Sequence, residues 1–91
     1  MKKISVLGYS IFYSFMYYVY ILRKGDGQIY IGYTNDLKRR MAEHKEKRPE
    51  LIYYEAYKDK LDAQDRERKL KQRGQGVKRL KERIKNSLNS N

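Results

Sequence analysis

The sequence contains no cysteine, which excludes both a disulfide framework and a zinc site built from thiolates. A chain without cysteine suits a reducing compartment, so we expect the protein to be cytoplasmic. With 91 residues, the chain has room for one domain with a small hydrophobic core and modest stability.

Acidic side chains are scarce, with 11 Asp and Glu against 22 Lys and Arg, and the net charge is +11. A field of this sign attracts polyanions, of which nucleic acid is the commonest and an anionic membrane surface is the alternative. Residues 58–91 carry 12 basic and 5 acidic side chains, interleaved with apolar positions. This interleaving predicts the charged face of folded helices rather than a disordered arm.

The sequence also lacks a convincing membrane segment. Residues 4–22 are free of charge and follow Lys2 and Lys3, a pattern that invites a signal-peptide or membrane interpretation. The run nevertheless contains five tyrosines, three serines and a glycine, and its last third is needed as a strand. We therefore expect no stable membrane association, an extension of uncertain structure at residues 1–15, a domain at 16–88 and a frayed tail at 89–91.

Two short runs rich in aromatic and β-branched residues, 17–22 and 29–33, predict a β-hairpin around the segment Lys-Gly-Asp-Gly-Gln. A three-residue loop would place Tyr20 and Tyr30 on one face of the hairpin as diagonal neighbours. A two-residue loop would place them on opposite faces. The tyrosines are either ordinary strand packing or part of a site, and a shared site requires the three-residue loop.

A helix is predicted directly after the hairpin, with Asn35 as its cap and Asp36 complementing its dipole. Four residues spaced i, i+3, i+4 and i+7 then share one face of this helix: Leu37, Arg40, Met41 and His44. Packing of the two apolar residues draws Arg40 and His44 toward the sheet, where they could form a phosphate pocket. A lone histidine that is simply structural or exposed is the alternative.

A third strand is predicted over residues 51–57, followed by a helix that begins near Asp59. The apolar stripe of this helix contains Glu67, and a carboxylate there is costly unless it is paired or binds a cation. Glu67 is therefore either in a buried ion pair with an arginine or a metal ligand. After two glycines, four apolar residues predict one last amphipathic helix with a basic outer face: Val77, Leu80, Ile84 and Leu88.

Several segments together resemble the GIY-YIG nucleases, in particular the small stand-alone bacterial members. The segments are Tyr-Val-Tyr at 18–20, Tyr-Ile-Gly-Tyr-Thr at 30–34, Asp-Leu-Lys-Arg-Arg-Met-Ala-Glu-His at 36–44 and Arg-Glu-Arg-Lys-Leu-Lys at 66–71. The resemblance runs from about Met16 to Leu88. It implies an α+β fold: a small three-stranded, mainly antiparallel sheet flanked by about three helices.

The resemblance also implies metal-dependent hydrolysis of DNA phosphodiesters, with RNA not excluded as a substrate. It assigns catalytic roles to Tyr20, Tyr30, Arg40 and His44. The attacking water needs a base, for which Tyr20 and His44 are the candidates, and we expect Tyr20 in this role with His44 assisting. Glu67 would hold one Mg²⁺, or Mn²⁺ in its place. The expected nucleic-acid contacts are Thr34, Lys38, Arg39, Arg66 and Lys69.

The sequence departs from the family pattern in places. The first tripeptide begins with Tyr18 rather than glycine, and the connection 45–50 is shorter than these proteins usually have. A short connection favours the alternative function, a nucleic-acid-binding module of the same fold that cleaves poorly or not at all. The oligomeric state is not predicted by the sequence.

Overall fold

The fold is organised by a three-stranded sheet in a computed structural model that describes residues 16–72 and 74–90. The strands are β1 (Tyr17–Arg23), β2 (Ile29–Thr34) and β3 (Glu50–Tyr57). Strand β1 lies in the middle of the order β2-β1-β3, and it is antiparallel to both neighbours. The predicted α+β fold with a small antiparallel sheet is therefore confirmed.

The β1–β2 hairpin turns through the three residues Gly25-Asp26-Gly27. Lys24 donates its N–H to the carbonyl of Gln28 at 2.8 Å, and the carbonyl of Lys24 accepts from the N–H of Gly27 at 2.8 Å. Gly27 has a φ of 88°, in the left-handed region that glycine enters without steric cost. This is the geometry of a three-residue hairpin loop that ends in a left-handed glycine.

The loop length fixes which side chains share a face of the hairpin. Tyr20 lies opposite Gly32, and Leu22 lies opposite Tyr30. This register is the one predicted for the three-residue loop. Tyr20 and Tyr30 consequently project from the same face of the sheet, with their ring centroids 6.1 Å apart.

The described ranges contain four helices and one short 3₁₀ turn. The helices are α1 (Leu37–Glu43), α2 (Lys60–Lys71), α3 (Gln75–Arg83) and α4 (Lys85–Asn89), and the 3₁₀ turn is Lys45–Lys47. One last helix was predicted where the structure has two, because the backbone leaves helical geometry at Ile84, with φ −108° and ψ 25°. Ile84 is buried and α4 still places Leu88 against the core, so the predicted apolar face is retained through the bend.

Helix α1 begins one residue later than the predicted cap implies. Asp36, rather than Asn35, is the N-cap, and its carboxylate accepts a hydrogen bond from the N–H of Arg39 at 3.0 Å. The hydroxyl of Thr34 holds the cap in place by accepting from the N–H of Asp36 at 3.1 Å. Asn35 instead accepts from the guanidinium of Arg39 at 3.2 Å.

The hydrophobic core lies on one face of the sheet, beneath α2, α3 and α4. Val19 and Ile21 of β1 contribute to it from the sheet, and the buried residues from the helices are Ala63, Leu70, Leu80 and Ile84. Arg23 links β1 to the neighbouring strand and to the helical layer. It makes an ion pair with Glu50 of β3 at 3.1 Å and donates a hydrogen bond to the carbonyl of Leu88 of α4. The opposite face of the sheet, which carries Tyr20 and Leu22, is the face approached by α1.

Two predictions about the ends of the chain meet the structure differently. The predicted extension, residues 1–15, lies outside the described residues. Of the predicted tail, Asn89 is the last residue of α4. Within residues 16–72 and 74–90, no helix has the length and apolar character needed to cross a membrane.

Candidate active site

Tyr20 occupies the centre of the face opposite the core, and its ring lies across Gly32 of β2. A Cβ atom at position 32 would come 2.4 Å from the hydroxyl oxygen of Tyr20 and 2.9 Å from the ring of Tyr30. Glycine is therefore required there for close approach of the ring, rather than for a special backbone conformation. Its missing side chain makes the space in which the Tyr20 hydroxyl sits.

Helix α1 and its C-terminal end bring two further groups to the tyrosines. The ring centroid of His44 lies 6.5 Å from that of Tyr20 and 5.5 Å from that of Tyr30. Arg40, one turn before His44, is half-buried, and its guanidinium is held at 3.2 Å by Glu43. The site thus combines side chains from β1, β2 and the α1 segment on one face. The helix periodicity had predicted this placement for Arg40 and His44.

The same residues carry the polar atoms that folding leaves unsatisfied. Among the described residues, three buried side-chain atoms have no hydrogen-bond partner: Tyr20 Oη, Arg40 Nε and His44 Nε2. A buried polar group without a partner typically costs about 1–3 kcal/mol, so such groups are rare in folded proteins. All three atoms belong to the predicted catalytic set. Their concentration in one place indicates a site that is completed by a ligand.

The electrostatic environment keeps the tyrosine protonated. Burial is the largest influence and raises the pKa of Tyr20 to about 12, and the nearby Tyr30 and the charge of Glu67 act in the same direction. Arg40 opposes them without reversing the shift. Tyr30 lies close enough to affect this pKa, although the two hydroxyl groups do not reach hydrogen-bond geometry. The Tyr20 hydroxyl therefore keeps its proton at neutral pH and can donate a hydrogen bond.

His44 is shifted in the direction that keeps it neutral. Burial lowers the pKa of His44 below 6.5, and the positive charges of Arg40, Lys47 and Lys24 lower it further. Glu43 acts weakly in the opposite direction. A neutral imidazole has one nitrogen that can accept a proton, so His44 is ready to act as a base at neutral pH.

Glu67 stands apart from these groups, on α2. Its side chain is 22% exposed, and Oε2 lies 3.0 Å from the ammonium of Lys71, one turn further along the helix. The partner is thus a lysine of the same helix, not the arginine that the ion-pair hypothesis expected. The charge of Glu67 raises the pKa of Tyr20 and of Tyr33, so the carboxylate lies within electrostatic reach of Tyr20 although α2 packs on the core face of the sheet.

The residues present fit a cation that has few protein ligands. Within residues 16–72 and 74–90, no three His, Asp or Glu side chains come together as a metal cage. Mg²⁺ commonly uses one or two carboxylates and completes its shell with water and substrate phosphate oxygens. Glu67, a partly exposed carboxylate within electrostatic reach of Tyr20, suits that mode of binding.

The predicted nucleic-acid contacts fall into two groups. Lys38, Arg39 and Lys69 are exposed, on α1 or α2, and remain candidates. Thr34 is buried, and both hydrogen bonds of its hydroxyl are with the backbone of Asp36. Arg66 makes a two-pronged ion pair with Glu55, through Nε and Nη2 at 2.9 Å each. The structure therefore gives Thr34 and Arg66 positions within the fold rather than on the site surface.

The cluster around Glu55 was missed in the sequence. Glu55 accepts hydrogen bonds from Arg66, from Tyr53 at 2.7 Å and from Tyr57. Burial alone would raise the pKa of Glu55, but these donors outweigh burial and hold it below 4.5. The alternation of Tyr53, Glu55 and Tyr57 on one side of β3 was the available signal, because a carboxylate on the core face needs a partner.

Comparison with known families gives one match that covers most of the described chain. The model of the GIY-YIG catalytic domain matches residues 16–81. This range includes β1, β2, α1 and β3 and continues into α3. All four residues of the predicted catalytic set and Glu67 fall inside the match.

The similar proteins carry names that state no activity. A UPF0213 protein of Bacillus pumilus is 37% identical over 65 residues, which are 60% of this chain and 66% of that protein. A UPF0213 protein of Orgyia pseudotsugata multicapsid polyhedrosis virus is 51% identical over 35 residues, 38% of this chain and 34% of that protein. A UPF0213 protein of Staphylococcus epidermidis is 37% identical over 65 residues, 79% of its length. The chain thus spans about two thirds of the first relative and a third of the second.

A solved structure resembles the fold as well. The solution NMR structure of the UPF0213 protein BH0048 from Bacillus halodurans superposes with a TM-score of 0.53 at 29% sequence identity. The superposition covers 77% of this chain and 85% of that one.

Proposed function

Because the chain belongs to the GIY-YIG family, we propose that it is a divalent-metal-dependent endonuclease that hydrolyses phosphodiester bonds in DNA. The observation that carries the proposal is the convergence of Tyr20 Oη, Arg40 Nε and His44 Nε2, three buried atoms that lack partners among the described residues. Two donors and one acceptor on one face match a phosphate group together with the water that attacks it.

Arg40 is the proposed anchor for the phosphate. Its guanidinium keeps a positive charge at every physiological pH, and its Nε has no partner among the described residues. Charge increases on the phosphoryl oxygens as the attacking oxygen approaches, so a fixed cation stabilises the transition state more than the ground state. Glu43 holds the far side of the guanidinium and so limits its rotation.

His44 is the proposed general base, and Tyr20 is the proposed hydrogen-bond donor. A neutral His44 would take a proton at Nε2 from the attacking water. Tyr20, with its pKa raised to about 12, would keep its proton and donate a hydrogen bond to the water or to a phosphate oxygen. This assignment differs from the expectation stated for the sequence, in which Tyr20 is the base and His44 assists.

Glu67 would hold the cation, with water and substrate oxygens as its other ligands. Bound Mg²⁺ or Mn²⁺ would supply neutralisation of charge on the phosphate and on the leaving oxygen. Lys71, which contacts Glu67 at 3.0 Å, would hold the carboxylate in position.

The proposed biological setting is DNA repair or processing in the cytoplasm, with weak or structure-selective recognition. The +11 charge supports binding to a nucleic-acid backbone without reading of base sequence. RNA is a second possible substrate, because the groups named above contact phosphate and water rather than the sugar.

The test is a cleavage assay with the full chain on labelled duplex, single-stranded, flap and branched DNA and on RNA, in Mg²⁺, Mn²⁺ or EDTA. Glu67→Gln is compared with Asp62→Asn, a carboxylate that is exposed on the same helix. Arg40→Ala and Tyr20→Phe complete the set. We expect metal-dependent cleavage that Glu67→Gln and Arg40→Ala abolish and that Asp62→Asn leaves unchanged.

Two results would contradict the proposal. Salt-sensitive binding without cleavage in either metal would leave the non-catalytic binding module as the function. Cleavage that is equally strong in Glu67→Gln and Arg40→Ala would place the reaction elsewhere or in a contaminant.

A further inference from the structure

The face of the sheet that carries the candidate site is covered over β1 and exposed over β3. At its centre, Tyr20 and Leu22 of β1 have no exposed surface. On the neighbouring strand β3, Tyr54 is 51% exposed and Leu51 is 40% exposed. These two residues pair directly with Tyr20 and Leu22, so the cover over this face ends between β1 and β3.

The exposed ring of Tyr54 is held in a defined orientation. It contacts Tyr18 edge to face, with the ring centroids 5.9 Å apart and the planes at 64°. Such contacts contribute about 0.5–1.5 kcal/mol beyond simple burial, which is enough to limit movement of the ring. One aromatic side chain therefore supports the other, and Tyr54 keeps half of its surface free.

This supported ring lies next to the candidate active site. Tyr54 is the direct partner of Tyr20 in the β1–β3 register, so its backbone is one strand spacing, about 4.8 Å, from that of Tyr20. Tyr30 and His44 lie on the other side of Tyr20. A nucleotide whose phosphate contacts Arg40 and His44 could therefore place a neighbouring base over Tyr54.

The charges beside His44, on the other side of Tyr20 from Tyr54, favour an anionic ligand, whereas the charge that acts on Tyr18 is the negative charge of Asp36. Arg40, Lys47 and Lys24 are close enough to His44 to lower its pKa. Glu50, the carboxylate beside Leu51, is paired with Arg23 at 3.1 Å. A flat ring in a positive field is the arrangement by which proteins bind single-stranded nucleic acid, because every base offers a face for stacking.

We infer that Tyr54, supported by Tyr18, stacks an unpaired nucleobase of the substrate. The site then takes nucleic acid that has an unpaired nucleotide beside the cleaved phosphate. The inference rests on the proposed function for the identity of that phosphate. Binding of the base depends on Tyr54 itself and not on cleavage.

The experiment measures binding of the full chain in EDTA, so that no cleavage occurs. The probes are a short blunt DNA duplex, the same duplex with a single-stranded overhang, and the same overhang made of abasic nucleotides. Tyr54→Ala removes the ring and Tyr54→Phe keeps it. Leu61→Ala is the matched control, since Leu61 is 72% exposed on α2, outside this face. Circular dichroism checks that each variant is folded.

We expect the wild type to prefer the overhang with bases over both other probes. Tyr54→Ala should bind that overhang about tenfold more weakly, whereas Tyr54→Phe and Leu61→Ala should bind as the wild type does. Equal binding of all three probes by the wild type would overturn the inference. So would an unchanged preference in Tyr54→Ala.

Three further results separate this inference from its rivals and from the proposed function. If sedimentation finds a dimer that Tyr54→Ala dissociates while the preference for bases stays, the surface is an interface between copies and the inference is wrong. If no substrate is cleaved in Mg²⁺ or Mn²⁺ but the preference depends on Tyr54, the proposed function fails and the stacking site stands. If Tyr54→Ala cleaves every substrate as the wild type does and keeps the preference for bases, the inference fails and the proposed function stands.

Discussion

Tyr20 and His44 compete for one role, because each could remove a proton from the attacking water. A phenol acts as a base only where its pKa is brought down toward neutrality, and the surroundings of Tyr20 raise its pKa to about 12. The surroundings of His44 lower its pKa, so that the neutral form dominates at pH 7. The shifts therefore favour histidine as base and tyrosine as donor.

The pH dependence of cleavage distinguishes the two assignments. A neutral His44 is required, so the single-turnover rate should fall as pH drops through a value below 6.5 and should be level above it. His44→Gln should reduce the rate on the order of 10²- to 10⁴-fold and remove this dependence. A rate that keeps rising toward pH 10 in the wild type would restore Tyr20 as the base.

Gly32 has a role that depends on its missing side chain. The Tyr20 hydroxyl occupies the space that a Cβ atom would fill, at 2.4 Å from the position of that atom. A methyl group at position 32 must displace the ring of Tyr20 or push β2 away from β1. Either movement disturbs the site and the sheet together.

We predict that Gly32→Ala destabilises the protein by about 1–3 kcal/mol, the usual cost of an overpacked core. Urea denaturation measures the loss, and a matched assay should find cleavage reduced as well. Gly76→Ala is the control, because a Cβ at position 76 of α3 meets no atom within 4 Å. Equal stability of the two variants would contradict the proposed role of Gly32.

At the scale of elements, α2 serves two layers of the molecule. Glu67 on this helix pairs with Lys71 and acts electrostatically on Tyr20, whereas Arg66, the preceding residue, pairs with Glu55 of β3 on the core face. The pair is joined by hydrogen bonds from Tyr53 and Tyr57, so the helix is fixed to the sheet by a polar cluster beside the apolar core. The position of the proposed metal ligand depends on this attachment.

We predict that Glu55→Gln lowers stability at pH 7 by about 2 kcal/mol, since it leaves Arg66 without its charged acceptor. The folded state lowers the pKa of Glu55, so its contribution is present above pH 4.5 and is lost as pH falls through the folded-state value. The wild type should therefore lose its advantage over Glu55→Gln in acid. Thermal unfolding at several pH values measures this, and a constant difference down to pH 3 would contradict it.

For the whole molecule, the dominant property is the excess of positive charge. The full sequence carries a net charge of +11, the described residues extend 40 Å along their longest axis, and α1 places Lys38 and Arg39 close to the candidate site. Binding to duplex DNA should then be driven largely by release of counterions from phosphates. Each phosphate contact adds about 0.9 to the slope of affinity against salt on logarithmic axes.

We predict that duplex affinity falls steeply with salt and that Lys38→Ala reduces the slope by about 1, through loss of one phosphate contact. Lys85→Ala is the control, because Lys85 lies on α4, which packs on the opposite face of the sheet. Fluorescence anisotropy over a range of salt concentrations measures both. If the Lys85 variant changes the slope and the Lys38 variant does not, DNA binds on the side of the molecule formed by α2, α3 and α4 instead.

Local patterns were enough to predict much of this protein. The β-branched and aromatic runs, the Gly-Asp-Gly loop and the spacing of Leu37, Arg40, Met41 and His44 each depend on contacts within a few residues. They correctly predicted the three strands and the side of α1 that faces the sheet, whereas the choice between a two-residue and a three-residue loop, and with it the hairpin register, was left to the structure. The family was identifiable from the same residues because the motifs lie on those local elements.

Other features were decided only by the tertiary structure. Which glutamate pairs with an arginine depends on how α2 lies across β3. The sequence left Glu67 as either an ion-pair partner of an arginine or a metal ligand, and the structure pairs Glu55 with Arg66. The pKa values of Tyr20 and His44 depend on burial and on charges from several elements, and the expectation of Tyr20 as the base could not include that burial. The exposed ring of Tyr54 depends on where the cover over the sheet ends. Local sequence sets periodicity and turns, whereas burial and partners follow from long-range packing.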